Sequence, residues 1–272
     1  MNTQTLVFIG GGNMAGAIVG GLLKAGRPAR EIVVVEPFDA QRERLTSQFG
    51  VRALAQADAS LAGAGMVVWA VKPQSFAEAA RPVAPHGAAA LHLSVMAGIR
   101  SDAIASAMGT QRVVRAMPNT PALIGQGIAG LYAREAVTPQ DRLQVEDVLA
   151  PTGARLWVAH EEHLDAVTAL SGSGPAYVFY FIEAMMQAAA EMGLDEAQGR
   201  ALALATFAGA TALAQGSTEP PSVLRERVTS KGGTTHAALT RLEGAGVKGA
   251  FVAALHAARQ RAKELGDEFG AA

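Results

Sequence analysis

The chain has no cysteine, which removes disulfides, thiolate metal sites and cysteine nucleophiles together and suits a reducing compartment. Charge is also scarce: Asp, Glu, Lys and Arg make up 17% of the residues and the formal net charge is -1. Without a basic excess there is no footprint for a nucleic-acid backbone. A small anionic ligand would need a local site, because the molecule offers no global field. No run of about 18 apolar residues escapes interruption by Gly, Pro or charge, so no membrane span is expected. Residues 1–4 are polar and uncharged, and the apolar run after them breaks at once into glycines, which is not the pattern of a secretory leader. The expectation is a soluble cytoplasmic protein.

What is present is a chain of 272 residues, half of them hydrophobic, enough for one large domain or two ordinary ones. Its first part alternates short β-type runs with helical segments. Residues 6–9, 32–35, 66–71, 91–95 and 113–117 read as strands. A helical pattern over 14–25 is stopped by Gly26, and another starts near Asp39, a good N-cap, and runs to Phe49. Continuous apolar strands alternating with helices imply a parallel sheet covered on both faces, a doubly wound (Rossmann-type) α/β domain. Residues 127–133 and 155–159 could add edge strands. After His160 the composition becomes Ala- and Leu-rich with helical spacing. Residues 164–192 form one apolar segment broken by Ser171-Gly172-Ser173-Gly174-Pro175, and 195–215 and 221–228 also look helical. Over 249–269, Phe251, Leu255, Ala258, Ala262 and Leu265 make a core-facing stripe. The expected division is an α/β domain over 1–160 and an all-helical domain over 161–272.

Gly10-Gly11-Gly12-Asn13-Met14-Ala15 fits G-x-G-x-x-A between a strand and a helix, the context that gives the pattern meaning. Gly10 permits a tight turn, Gly12 lets the backbone approach a pyrophosphate, and Ala15 keeps helix and strand close. Glu36 ends the second strand, where an acid bonds the adenosine ribose hydroxyls and repels a 2′-phosphate. Arg42 and Arg44 lie just beyond and either answer such a phosphate or are solvated helix surface, so NAD and NADP both stay open. Ala70, Val71, Lys72 and Pro73 follow the third strand, at the crevice end of such a sheet. Met117-Pro118-Asn119-Thr120-Pro121 is a rigid loop that can present Asn119 and Thr120 to the same crevice. Pro175 inside an apolar helix is locally costly, by about 3 kcal/mol, and implies a kink. Thr229-Ser230-Lys231-Gly232-Gly233-Thr234-Thr235 has the make-up of an anion nest on a helix N-terminus, with the N–H groups of Gly233, Thr234 and Thr235 facing one carboxylate. His160-Glu161-Glu162-His163 lacks metal-site spacing and reads as a helix start on the surface, so no metal is expected. His236 suits cap packing as well as catalysis, and no Ser/His/Asp elbow is present.

In order and spacing, the glycine loop, Ala70-Val71-Lys72-Pro73, the Arg115 to Pro121 stretch, Leu170-Ser171-Gly172-Ser173-Gly174-Pro175-Ala176-Tyr177 and the Val228 to His236 stretch resemble pyrroline-5-carboxylate reductase along essentially the whole chain. The resemblance implies hydride transfer from NAD(P)H, with NADPH slightly favoured, to the C=N of 1-pyrroline-5-carboxylate, giving L-proline in the last step of proline biosynthesis. It implies cofactor contacts at Gly10, Gly11, Gly12, Asn13, Met14, Glu36, Ala70, Val71, Lys72 and Pro73. It implies substrate contacts at Asn119, Ser173, Gly174, Gly232, Gly233, Thr234 and Thr235, with Thr235 and Ser230 in catalytic roles. It also implies a homodimer with interlocked helical domains, often built into larger rings, in which one subunit's nucleotide domain meets helices of both. Hydride transfer to a protonated imine neutralises its charge and needs no proton relay, which agrees with a sequence where no acid or histidine stands out. A 3-hydroxyacid dehydrogenase of similar architecture would place a lysine in the long helix, and none lies between His163 and Met192. A non-catalytic nucleotide sensor would keep the glycine loop without a reason for the segment from Ser230 to Thr235.

Overall fold

The computed structural model describes residues 5–270, so the polar start at residues 1–4 lies outside the described residues. Two compact units emerge: Met1–Gly174 with Ala257–Ala272, and Pro175–His256.

The first unit is built on an eight-stranded sheet with the order β3-β2-β1-β4-β5-β6-β7-β8. Its strands are β1 (Thr5–Ile9), β2 (Ile32–Val35), β3 (Arg52–Leu54), β4 (Ala64–Trp69), β5 (Leu91–Ser94), β6 (Val113–Met117), β7 (Gly127–Ala133) and β8 (Gly153–Trp157). Helices α1 (Asn13–Lys24), α2 (Asp39–Phe49), α3 (Phe76–Gly87), α4 (Ser101–Met108) and α5 (Pro139–Leu149) connect them. Side chains alternate across a strand, and here both faces are apolar. Leu6, Phe8, Val34 and Val68 pack with α1, Leu45 of α2 and Val145 of α5. Val7, Ile9, Val67 and Trp69 pack with Phe76 and Val83 of α3 and Ile104 of α4. The chain runs outward from β1 to β3, then returns to β4 on β1's other side. The carboxyl ends of β1 and β4 therefore flank a topological switch point, where this architecture opens a ligand crevice.

Two details depart from the sequence expectation. β7 is not an edge strand: it lies between β6 and β8 and pairs antiparallel with β6. The link over residues 118–126 is too short for a parallel crossover, which needs about a dozen residues or more. In α2 the cap is Phe38, with Asp39 already in the first turn.

The segment from His163 to Glu191 is likewise not one kinked helix. α6 (His163–Val167) passes through a π-turn (Thr168–Gly172) into α7 (Gly174–Glu191). The Ser173 N–H donates to Thr168 O at 2.8 Å, the longer reach of a π-turn. This shift brings Pro175 into the first turn of α7, where its missing N–H removes no bond. The change in composition near residue 160 does not coincide with the division into compact units. α6 belongs to the sheet: Glu161 and Asp165 pair with Arg115 and Arg100, and a Cβ on Gly130 would come within 2.8 Å of Val167.

The second unit contains α8 (Glu196–Gln215), α9 (Pro221–Arg227), α10 (Thr234–Gly244), most of α7 and the start of α11 (Val247–Gly270). α8 begins with a capping box in which Asp195 and Gln198 exchange bonds. Tyr177, Phe181 and Phe251 stack edge to face. The last turns of α11 return to the first unit, where Leu265 and Phe269 lie against Gly98. The expected stripe on this helix is only partly covered within one chain: Ala262 is buried and Phe251 is exposed. Among the described residues no helix is long and apolar enough to cross a membrane.

Candidate active site

Two uncapped helix starts, one in each unit, hold most of the residues singled out in the sequence. In the first unit, Gly10 has φ +95°, and a Cβ there would lie 2.7 Å from Ala70 O and 2.9 Å from Val71 Cγ1. The Ala70 N–H donates to Ile9 O at 2.8 Å. The loop after β1 and the loop after β4 are thus in direct contact. Gly11 donates its N–H to Glu36 Oε2 at 2.9 Å, which ties the end of β2 to the same loop. Gly12 is the N-cap of α1, with no side-chain cap and no acid in the first turn. A Cβ on Gly12 would meet nothing within 4 Å. Open space above amides at the positive end of a helix fits a dinucleotide pyrophosphate. Asn13 and Met14 open that helix.

Lys72 is exposed and precedes a 3-10 turn, Pro73–Ser75. Asn119 caps another, Thr120–Ile124, which packs on α1. Its Oδ1 accepts the Ile128 N–H at 2.9 Å, which fixes the side chain and leaves the amide NH2 as the donor that can face a ligand. Ser173 follows the π-turn, and Gly174 next to it has open space at the Cβ position.

In the second unit, Gly232 has φ +74° and Gly233 is the N-cap of α10, again with no side-chain cap and no acid in the first turn. Helices α5 and α8 show the contrast, since both carry capping boxes. A Cβ on Gly233 would lie 2.5 Å from Ser230 Oγ and 3.2 Å from Ser230 O, so a side chain there would displace the Ser230 hydroxyl. One amide of the expected trio is already engaged: Gly233 N–H donates to Ser230 O at 3.0 Å. That bond closes the turn and leaves the first-turn amides of Thr234 and Thr235 to face an anion.

The sequence reading missed the charged network beneath α6. Arg115 is buried in β6 and donates to Glu161 Oε1 at 2.7 Å. Glu161 also accepts from Ser101 N at 2.7 Å and Ser101 Oγ at 2.5 Å. Arg100 meets Asp165 through two bonds of 3.1 and 2.9 Å. A signal existed: an arginine inside an apolar strand requires a buried partner. Among the described residues no group of His, Cys, Asp and Glu could hold a metal.

Comparison with known proteins identifies the family. Residues 161–265 match the model described as pyrroline-5-carboxylate reductase dimerisation, and residues 5–98 the model described as NADP oxidoreductase, coenzyme F420-dependent. The pyrroline-5-carboxylate reductase of Pseudomonas aeruginosa is 39% identical, over 99% of this chain and 100% of its own. The chain belongs to the pyrroline-5-carboxylate reductase family. A solved pyrroline-5-carboxylate reductase from Coxiella burnetii is 35% identical, with a TM-score of 0.89 over 97% of this chain and 99% of its own. That of Plasmodium falciparum, solved with NADP bound, is 26% identical, with a TM-score of 0.86 over 98% of this chain and 99% of its own. The resemblance stated from the motifs is therefore a whole-chain relationship, and it covers the α/β sheet domain and the helical domain alike.

Proposed function

We propose that this chain is a pyrroline-5-carboxylate reductase, an NAD(P)-dependent oxidoreductase that reduces the C=N bond of 1-pyrroline-5-carboxylate to give L-proline. The observation that carries this is the pair of uncapped, acid-free helix starts at Gly12 and Gly233, in a chain that matches a family member over its full length. The bound dihydronicotinamide supplies the hydride. The chain's own residues bind and orient. The amides at the start of α1 hold the pyrophosphate, and the loop of Ala70, Val71, Lys72 and Pro73 lines the nicotinamide half. Thr234 and Thr235 amides hold the substrate carboxylate, with Gly232 and Gly233 shaping their turn. The Thr235 hydroxyl orients the ring nitrogen, and the Ser230 hydroxyl, against Gly233, supports it. Ser173, Gly174 and the Asn119 amide complete the substrate contacts. A protonated imine is already electrophilic, so positioning supplies most of the catalysis.

The second unit forms a homodimer or a larger ring. Of its apolar residues within Pro175–His256, only Ala189 and Ala203 are among those buried in the single chain, while its sequence matches a dimerisation model. The decisive assay follows oxidation of NADPH and of NADH, each with pyrroline-5-carboxylate, and product analysis for proline. Absence of imine-dependent oxidation with both cofactors would overturn the proposal.

A further inference from the structure

The end of β2 bears on which dinucleotide is used. We infer that Glu36 makes this chain prefer NADH to NADPH, against the NADPH preference implied by family resemblance. The inference rests on the dinucleotide cradle proposed above.

Glu36 is 7% exposed. Its Oε2 accepts the Gly11 N–H at 2.9 Å and its Oε1 accepts the Phe38 N–H at 3.0 Å. Two backbone amides therefore hold the carboxylate against the glycine loop, and swinging it aside for a different ligand would break both bonds. Each carboxylate oxygen keeps a further lone pair. Adjacent ribose hydroxyls, which are donors, can use both. In this architecture the adenosine ribose lies at the end of the second strand. A 2′-phosphate brought there carries about 1.5 to 2 negative charges and meets a buried carboxylate with little screening.

The neighbouring cations do not offset this. Arg42 donates through Nη1 to Glu36 O at 2.8 Å and Pro37 O at 2.7 Å. Its Nη2 pairs with Asp39. It is a clamp on the turn after β2, and its charge is already matched. Arg44 is two residues further along α2, on the opposite side of the helix. There it lines a cleft with Lys24, Gln48 and Phe49 that extends to Asn13 at the start of α1, and among the described residues no hydrogen bond or ion pair ties it to Glu36.

The test is calorimetric binding of NAD+ and NADP+ to the purified full chain, for wild type, Glu36→Ser and Glu36→Gln. A thermal midpoint without cofactor, measured on each variant, separates a damaged loop from an altered choice. Wild type is expected to bind NAD+ at least about tenfold more tightly, a difference of roughly 1.4 kcal/mol. Both variants should narrow or invert the ratio, chiefly by tightening NADP+. Equal or tighter NADP+ binding by wild type overturns the inference, as does an unchanged ratio in folded variants. If neither dinucleotide binds, the reductase proposal fails first and the inference with it. If both bind in the wrong order, only the inference fails.

Discussion

Gly10 and Gly12 stand in one loop under different constraints. Gly10 is fixed by its positive φ and by the backbone of Ala70, whereas Gly12 faces open space. Gly10→Ala is expected to lower stability by roughly 1–3 kcal/mol. Gly12→Val should leave the thermal midpoint nearly unchanged while weakening dinucleotide binding; denaturation and calorimetry on the same pair read the two effects apart. At the second cradle, Thr235→Ala should keep the fold and cofactor affinity and lose turnover roughly ten- to hundredfold, the worth of one hydrogen bond to a charged group. Thr235→Ser should restore most of it, and unchanged turnover in the alanine variant would remove Thr235 from the site. His92 shows what a histidine does when it is purely structural. It is fully buried on β5, accepts from Trp69 Nε1 at 3.0 Å through Nδ1, and lies 3.0 Å from Gly87 O through Nε2. Burial pushes its pKa down to about 4, so it stays neutral in the fold. The unfolded chain takes up a proton near pH 6.5, so its contribution to stability is complete above that value and is lost as pH falls to about 4. The total is about 3 kcal/mol. Urea midpoints from pH 7 to pH 4.5 should fall less steeply for His92→Gln than for wild type.

Among the elements, α6 has the most consequential anchorage. It is short, and a segment of five residues is not stable on propensity alone. The carboxylates of Glu161, just before it, and Asp165, within it, hold it to β6 and to Arg100 and Ser101 at the start of α4. Glu161→Ala leaves Arg115 buried without its partner and is expected to cost about 3–5 kcal/mol, read by chemical denaturation. Ser101→Ala removes a hydroxyl that donates to the Glu161 carboxylate and should cost less, about 1.5–3 kcal/mol. The same anchorage explains why the helical stretch after residue 160 does not divide cleanly from the sheet. The central strand positions were legible because β-branched runs buried on both faces have few alternatives, whereas the three-residue edge strand β3, with Arg52 exposed, was missed. The antiparallel turn into β7 was missed although its signal was present: composition does not distinguish it from an outer parallel strand, but the link over residues 118–126 is too short for a parallel crossover. The π-turn was hidden too: a sequence shows that Pro175 breaks a regular ladder, while the ladder's own shift decides at what cost.

The molecule as a whole leaves a large apolar surface uncovered in the second unit. Tyr180 is 68% exposed, Leu202 56% and Leu213 74%, values that fit association better than solvation. A variant with Leu202→Glu and Leu213→Glu is expected to sediment at lower mass than wild type and to lose activity. A fully active, stable monomer of the wild-type chain would overturn the homo-oligomer. Such a surface also explains why the stripe on α11 looked like core when only its pattern was available. Periodicity reports that a face is apolar but not whether its partner lies in the same chain.

By itself, the sequence determined the alternation of strands and helices, the glycine turn after β1, the glycine-threonine turn before α10 and the family to which they point, because each depends on local backbone freedom and short-range pattern. Tertiary structure alone decided that Glu36 is locked to Gly11, that Gly233's amide closes its own turn, that Asn119 props β7, and that Glu161 serves Arg115. Those are meetings between residues far apart in the chain or choices among competing hydrogen-bond partners. A linear pattern does not encode them, since they follow only once packing has fixed which donors and acceptors remain within reach.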